Sequence, residues 1–289
     1  MGVASNGEPV LSGATLLTDL TWQEVESYLA SRRSIVVPVG STEQHGSAGT
    51  LGTDTLVAIG LCQDVSARTG VLVAPPIWTG DSSHHAAFPG TIWLRSSTLI
   101  ALVTDVAASL ASAGFTRQVW VNGHKGSNLP ALTLALRELH EYRFRQALFA
   151  VADPLHLGRA EAQELKTEPE HHGGALELSQ VMYLRPDNVR TDRLGREQAD
   201  LGALAGGWLT ADLFGSSGFV DIPWNSVEER AFAATGAIGS SASASVELGQ
   251  AYHDALVGRL AEFTQWFESW EGFAAAPPDR PVGSDGSTT

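Results

Sequence analysis

The chain has 289 residues, 43% of them hydrophobic and 17% charged, a balance that supports a large core and excludes disorder or low complexity over all but the ends. Eighteen Lys plus Arg against 32 Asp plus Glu leave a net charge of −14, and Lys occurs only at Lys125 and Lys166. So acidic a surface, with no basic patch, repels phosphate backbones and argues against nucleic acid as a partner.

In chain order, residues 1–13 are rich in Gly, Ser and Asn and read as a disordered N-terminus. No Lys or Arg precedes Arg32 and no myristoylation pattern follows Met1, so a cytoplasmic location is expected. Thr21 with Glu24 forms a capping box, which predicts a helix through Arg32. The apolar run Ile35 to Val39 follows as a buried strand. Helices are expected from about Asp54 to Ala67, Ser97 to Ala113 and Asn128 to Tyr142. Each leads into a strand, at Val71 to Ala74, Gln118 to Val121 and Ala147 to Ala152.

The lone cysteine, Cys62, cannot form an internal disulfide and reads as core packing in the first of these helices. Ser96 to Gly114 is apolar enough to suggest a membrane span, but Thr104, Asp105 and several serines favour a buried amphipathic helix, and no membrane partner is expected. Asp192 to Thr235, rich in Gly and aromatics, reads as a long excursion over the core. A last helix runs from about Ser243 to Trp270, and residues 276–289, with three Pro, read as a disordered tail. Residues 14–275 are then one domain. Strands alternating with helices predict an α/β fold of three layers, with a mostly parallel sheet between two layers of helices. Such sheets place their ligands beyond the carboxyl ends of the strands.

That rule sorts the polar residues. The first strand runs into Gly40-Ser-Thr-Glu43-Gln-His45-Gly46, and Asp54 follows nine residues after His45 at a helix start. Carboxylate and imidazole together suit Zn, Mn or Fe. The strand at Gln118 to Val121 ends in Asn122-Gly123-His124-Lys125-Gly126, and the strand before Asp153 is followed by His156, His171, His172 and Glu177. Singly, each has a plain structural reading: Asp54 as a helix cap, Glu177 as a solvated helix position, any one histidine as a surface residue. Together, three strand ends deliver Glu, Asp or His toward one place. Other signatures are absent: no G-x-S-x-G elbow, no G-x-G pair, no Gly-Lys pair of a P-loop and no H-E-x-x-H occur. Metal-assisted chemistry remains.

These residues resemble the creatininase (creatinine amidohydrolase) family. The resemblance is carried by four ordered motifs: Gly40-Ser-Thr-Glu43-Gln-His45-Gly46 with Asp54; His84-His85-Ala-Ala-Phe88-Pro89-Gly90-Thr91; Asn122-Gly123-His124; and His172-Gly-Gly-Ala-Leu-Glu177-Leu-Ser179. A late G-x-x-G at Gly236 to Gly239 also matches. The resemblance implies a creatininase-like catalytic domain with two divalent ions, Zn first and Mn or Fe as alternatives. Asp54 would bridge, Glu43 and His124 would bind one ion, and His45 plus a further carboxylate the other. It implies cleavage of an amide-type C–N bond in a small-molecule substrate by a metal-bridged hydroxide, with His172 as the catalytic residue that passes a proton to the leaving nitrogen. It also implies a homo-oligomer, a hexamer as in the family, and the aromatics Trp208, Phe214, Phe219 and Trp224 are the surface expected to be covered.

Several positions depart from the family pattern. His84 stands where the family has Glu, Leu178 where it has Thr, and Ser47-Ala48-Gly49 where it has Pro-His-Leu; all are expected at the pocket mouth. Creatininase has a Trp shortly before the catalytic histidine, and this chain has none between Trp120 and Trp208, so creatinine itself is not expected as the substrate. The residue two after the motif histidine, a metal-binding Glu in creatininase, is Gly126, so Glu177 is expected to supply the missing carboxylate and to act in catalysis. Roles for His84, His85, His156 and Lys125 stay open. Alternative readings are a noncatalytic metal-binding scaffold of the same fold and a metal-dependent isomerase or lyase on a carbonyl substrate.

Overall fold

The computed structural model describes residues 14–196, 199, 212–214 and 222–273. The two ends expected to be disordered, together with Trp208 and Phe219, lie outside them. Strands β1 (Ser34–Val39), β2 (Leu72–Val73), β3 (Arg117–Asn122) and β4 (Leu148–Ala152) form one sheet in the order β2-β1-β3-β4, and every pairing is parallel. Helices cover both faces, which is why β1 reads as a near-continuous apolar run and is buried along its whole length.

Alternation along the strands divides the core in two. Val36, Val119 and Val121 face α2 (Thr53–Thr69), α7 (Ala175–Leu184) and α9 (Val246–Ser269), where they join Leu61, Val65, Leu176, Tyr252 and Leu256. Ile35, Val37, Val39 and Trp120 face α3 (Ser96–Ala113) and α4 (Leu129–Tyr142), packing on Leu99, Val103 and Leu132, with α1 (Trp22–Leu29) outside them. Each of these large apolar side chains contributes about 1.5–3 kcal/mol by leaving water. Trp120, fully buried, donates from Nε1 to Gln118 Oε1, and Gln118 donates in turn to the Ala107 and Phe115 carbonyls, so the polar atoms of this core pair are used.

The expected elements are present to within a few residues at each end. Thr21 caps α1 through the full capping box, and Cys62 packs in the core of α2. Helix α3 is long and apolar enough to cross a membrane by length and composition, and it packs Leu99, Val103 and Ala107 into the second core. Two short helices, α5 (Pro154–Leu157) and α6 (Arg159–Leu165), follow β4, and α8 (Ser226–Phe232) lies within the excursion. Of the aromatics expected to be covered by a neighbouring subunit, Phe214 is instead buried in the chain's own core and Trp224 packs edge-on against Phe232.

Candidate metal centre

The register Val39↔Asn122 brings the exits of β1 and β3 side by side, one leading to Glu43 and His45, the other to His124 and Lys125. Helix α2 starts directly against them. A Cβ at Gly123 would lie 2.0 Å from the Asp54 carbonyl oxygen, so only glycine lets the β3 exit pass this close to the helix. Asn128 secures the arrangement, accepting from Asp81 N at 2.9 Å and donating to the Gly40 carbonyl at 3.0 Å. His85 closes a short 3-10 turn, Ser83–His85, and His172 precedes α7. Asp54 and Glu177 occupy the first turns of α2 and α7, where the backbone dipole favours negative charge.

Four imidazoles converge with one pattern. His124 donates from Nε2 to the Asp81 carbonyl at 3.0 Å, and its Nδ1 faces Glu43 Oε1 at 3.2 Å and Asp54 Oδ2 at 3.1 Å. In His45, Nδ1 points to the Glu43 carbonyl at 3.2 Å, leaving Nε2 toward Asp54 Oδ1 at 3.1 Å and Glu177 Oε2 at 3.6 Å. His85 Nδ1 donates to Glu229 Oε1 at 2.6 Å, and Nε2 faces Glu43 Oε1 at 3.3 Å. His172 donates from Nε2 to the Gln44 carbonyl at 2.6 Å, with Nδ1 3.7 Å from Glu43 Oε1. Each ring is thus anchored at one nitrogen by an oxygen acceptor, which fixes its tautomer and turns the other nitrogen's lone pair onto a carboxylate. Lone pair against lone pair repels unless a proton or a cation lies between them.

The carboxylates make the same demand. Glu43 and Asp54 are sealed from solvent, yet both oxygens of Glu43 and Oδ2 of Asp54 accept no hydrogen bond. Their ligand atoms gather in two groups that share Asp54, one with Glu43 and His124, the other with His45 and Glu177; a third group joins Glu43, His45 and His172. The donor set, carboxylate and imidazole with no thiol, fits divalent Zn, Mn or Fe.

Without an ion, protons fill these gaps. Burial lowers the pKa of His45, but the charges of Asp54 and Glu177 outweigh it and bring it up to about 9. In His85 the same contest against burial, won by Glu43 and Glu229, also ends at about 9. Burial dominates in the other direction for His84, pushed down to about 3, for His171, pushed down to about 4, and for His172, held well below its usual range. His172 is therefore a neutral base whose free nitrogen is Nδ1.

Behind Glu177 lies a buried charge network. Its Oε1 accepts from Lys125 Nζ at 2.8 Å and its Oε2 from Gly173 N at 2.8 Å. Burial raises the Glu177 carboxyl, but Lys125 and His45 bring it down to about 2. Glu170 accepts from the backbone N–H groups of Leu176 and Glu177 at the start of α7, and burial, opposed by Lys125, raises it to about 7.

Glu43, His45, Asp54, His124, His172 and Glu177, singled out from the sequence, all meet in this centre. His156 does not: it is exposed on α5, 3.9 Å from Asp153. Glu229 and Gln44 were not legible as site residues. Glu229, fully buried on α8, is 144 residues from the His85 it binds, and no spacing signal spans that distance. One expectation needs correction. Leu178 and Ala48 do not line the pocket mouth: both are buried, and Leu178 packs under Gly49, where a Cβ would lie 2.7 Å from its Cδ2. Among those departures from the pattern, half-buried His84 remains at the centre's edge, stacked on His124 and tilted against His85.

The family model for creatininase, described as creatinine amidohydrolase, matches residues 18–264. The chain is 32% identical over 200 residues to the creatinine amidohydrolase of Pseudomonas putida, covering 64% of this chain and 77% of that one. It is 37% identical over 166 residues to the mycofactocin precursor peptide peptidase of Mycolicibacterium smegmatis, covering 55% and 61%. To the 3-dehydro-scyllo-inosose hydrolase of Thermotoga maritima it is 28% identical over 173 residues, covering 60% and 52%, so the chain spans less than two thirds of the latter two relatives. A crystal structure of creatininase matches with a TM-score of 0.73 at 27% identity, over 89% of this chain and 99% of that one. A Mn form and a Zn-Zn form of creatininase match at 0.72 and 0.71.

Proposed function

Because the chain belongs to the creatininase family, we propose that it is a metal-dependent hydrolase that cleaves an amide-type C–N bond in a small substrate and holds two divalent ions. The observation that carries this reading is the pair of tautomer-fixed imidazoles, His85 and His124, aimed at oxygens of Glu43 and Asp54 that have no hydrogen-bond donor. A buried arrangement of that kind is satisfied by protons on the imidazoles or by metal cations in their place. Glu43, Asp54 Oδ2 and His124 Nδ1 would hold one ion; Asp54 Oδ1, His45 Nε2 and Glu177 Oε2 would hold the other. Divalent ions so placed supply Lewis acidity, polarising a carbonyl and lowering the pKa of water at the site toward neutrality.

The chain's own residues do the rest. Asp54, with Oδ1 toward His45 and Oδ2 toward His124, would serve both positions. His172, neutral and fixed through Nε2 by the Gln44 carbonyl, accepts a proton at Nδ1 and returns it to the departing nitrogen. Glu229 keeps His85 and Gln44 in place, accepting from Gln44 Nε2 at 3.1 Å as well as from His85. A homo-oligomer, hexameric by resemblance, belongs to the same proposal. Its support is the exposed apolar set Leu51, Trp78, Ile92 and Trp93, carried on segments that pair with Thr42 and Gly80 beside the centre.

The test is a panel of lactams, cyclic ureides, formamides and short peptides, assayed before and after chelation with elemental analysis alongside. Hydrolysis of at least one amide-type member, lost on chelation and restored by Zn or Mn, is the expected result. Turnover that survives complete removal of metal would overturn the reading. Light scattering that gives a 30.5 kDa particle at micromolar concentration would remove the oligomer from it.

A further inference from the structure

We propose that Lys125 makes the two metal positions unequal, so that the protein binds one ion tightly at Glu43, Asp54 and His124 and the other weakly at His45, Asp54 and Glu177. This inference rests on the metal-centre reading above and concerns what this chain's lysine does to it.

The two positions differ in what their carboxylates already touch. At the first, both Glu43 oxygens and Asp54 Oδ2 have no hydrogen-bond donor, so nothing but an ion or a proton relieves them. At the second, Glu177 is occupied on both oxygens, by the Lys125 ammonium at 2.8 Å and by Gly173 N at 2.8 Å. Its one negative charge is matched by one positive charge before any ion arrives. The ammonium cannot withdraw into water, since the Lys125 side chain is 8% exposed and that of Glu177 is 7% exposed. Buried charges are little screened, so an ion approaching Glu177 Oε2 meets both a weakened donor and a fixed cation behind it.

A hydrogen-bond partner of a ligand normally strengthens metal binding, because a neutral acceptor or a carboxylate raises the ligand's basicity. Lys125 has the opposite sign, donating to the carboxylate and drawing on its charge. Lys125 is also one of two lysines in the chain, and Glu170 packs nearby as a second carboxylate that favours its charge. A purely structural ion pair within the core is the competing account. It predicts that removing Lys125 changes stability while leaving the two affinities in the same ratio.

Calorimetric titration of the metal-free full-length protein with Zn, and with Co as a spectroscopic probe, separates these accounts. Wild type should bind two ions in distinct steps whose dissociation constants differ by about tenfold or more. Lys125→Met should tighten the second step by about 10–100-fold, the usual scale for a partner of a metal ligand, and leave the first unchanged. Lys125→Arg keeps the charge and should keep the gap. Glu177→Gln should abolish the weak step alone, which decides the matter should Lys125→Met not fold. Equal steps in wild type overturn the proposal, as does a gap that Lys125→Met leaves intact, a weakened second step in that variant, or loss of the tight step in Glu177→Gln. Wild type that binds no ion fails differently, by removing the metal centre itself.

Discussion

Removing the metal should make stability fall with rising pH in a window set by the histidines. In the ion-free fold the pKa of His45 stands at about 9 against its ordinary 6.5, so the folded state holds the proton more tightly than the unfolded chain does. A histidine raised in this way stabilises fully below about pH 6.5 and loses that contribution as pH climbs through about 9. The rise corresponds to about 3 kcal/mol, of which about 2 kcal/mol should disappear between pH 7 and 9.5. His85, also raised to about 9, titrates in the same window. Both histidines contact carboxylates of one cluster, so their effects do not simply add. Urea unfolding of chelator-treated protein should show a midpoint about 1 M lower at pH 9.5 than at pH 7. Glu170, raised to about 7 by burial against the opposing charge of Lys125, adds a smaller loss of the same sign. Comparison with the Zn-loaded protein isolates His45, since an ion held at its Nε2 would replace its proton. An ion-free midpoint that stays level across the window, or one that falls equally with Zn bound, would refute the argument.

Asp54→Ala should remove most of the bound metal, because each oxygen of Asp54 faces a different histidine and serves a different position; a full metal complement by elemental analysis would count against the shared carboxylate. Gly123→Ala should lower both metal retention and melting temperature, since its Cβ would meet the Asp54 carbonyl oxygen at 2.0 Å and backbone cannot move aside as a flexible side chain can. A variant with wild-type metal content and melting temperature would show that the close approach is not needed. Creatinine should be a poor substrate, because no Trp lies between Trp120 and Trp208 to cover a flat ring; turnover in the ordinary range of about 1–1000 per second would contradict this.

The fold was legible because its signals are local. Apolar runs of strand length, the Thr21 capping box and the spacing of helices between strands each act within a few residues, and each recurs in the structure. The inner half of the centre was legible for a related reason: Glu43, His45 and His124 follow strand ends directly, and parallel strands in register place their exits together. Glu229 and Gln44 were not, because their partners are set by how α8 folds back across the 3-10 turn of His85, and no local pattern encodes that return. Leu178 was misplaced for the opposite reason. A motif position was taken to share the exposure of its neighbours, whereas a helix turns successive residues to different faces, and here Leu178 turns into the core. Lys125 shows a third limit, since its charge was plain in the sequence but its partner, 52 residues on, was not.

Gln44 has consequences for how this scaffold can diversify. It stands between two inward-facing residues, Glu43 and His45, while its own side chain reaches outward to Glu229 and the Gly236 carbonyl. A Cβ at Gly236 would lie 1.9 Å from Gln44 Oε1, so the loop before Gly239 is pressed onto it. The loop that shapes the outer wall and the backbone that aims the inner groups are therefore mechanically one piece. Substitutions that do not touch Gln44, such as at His84, should leave the inner groups in place, while a change at Gly236 or Glu229 should move them. Libraries built for new specificity should leave those two positions fixed and vary the rim around them.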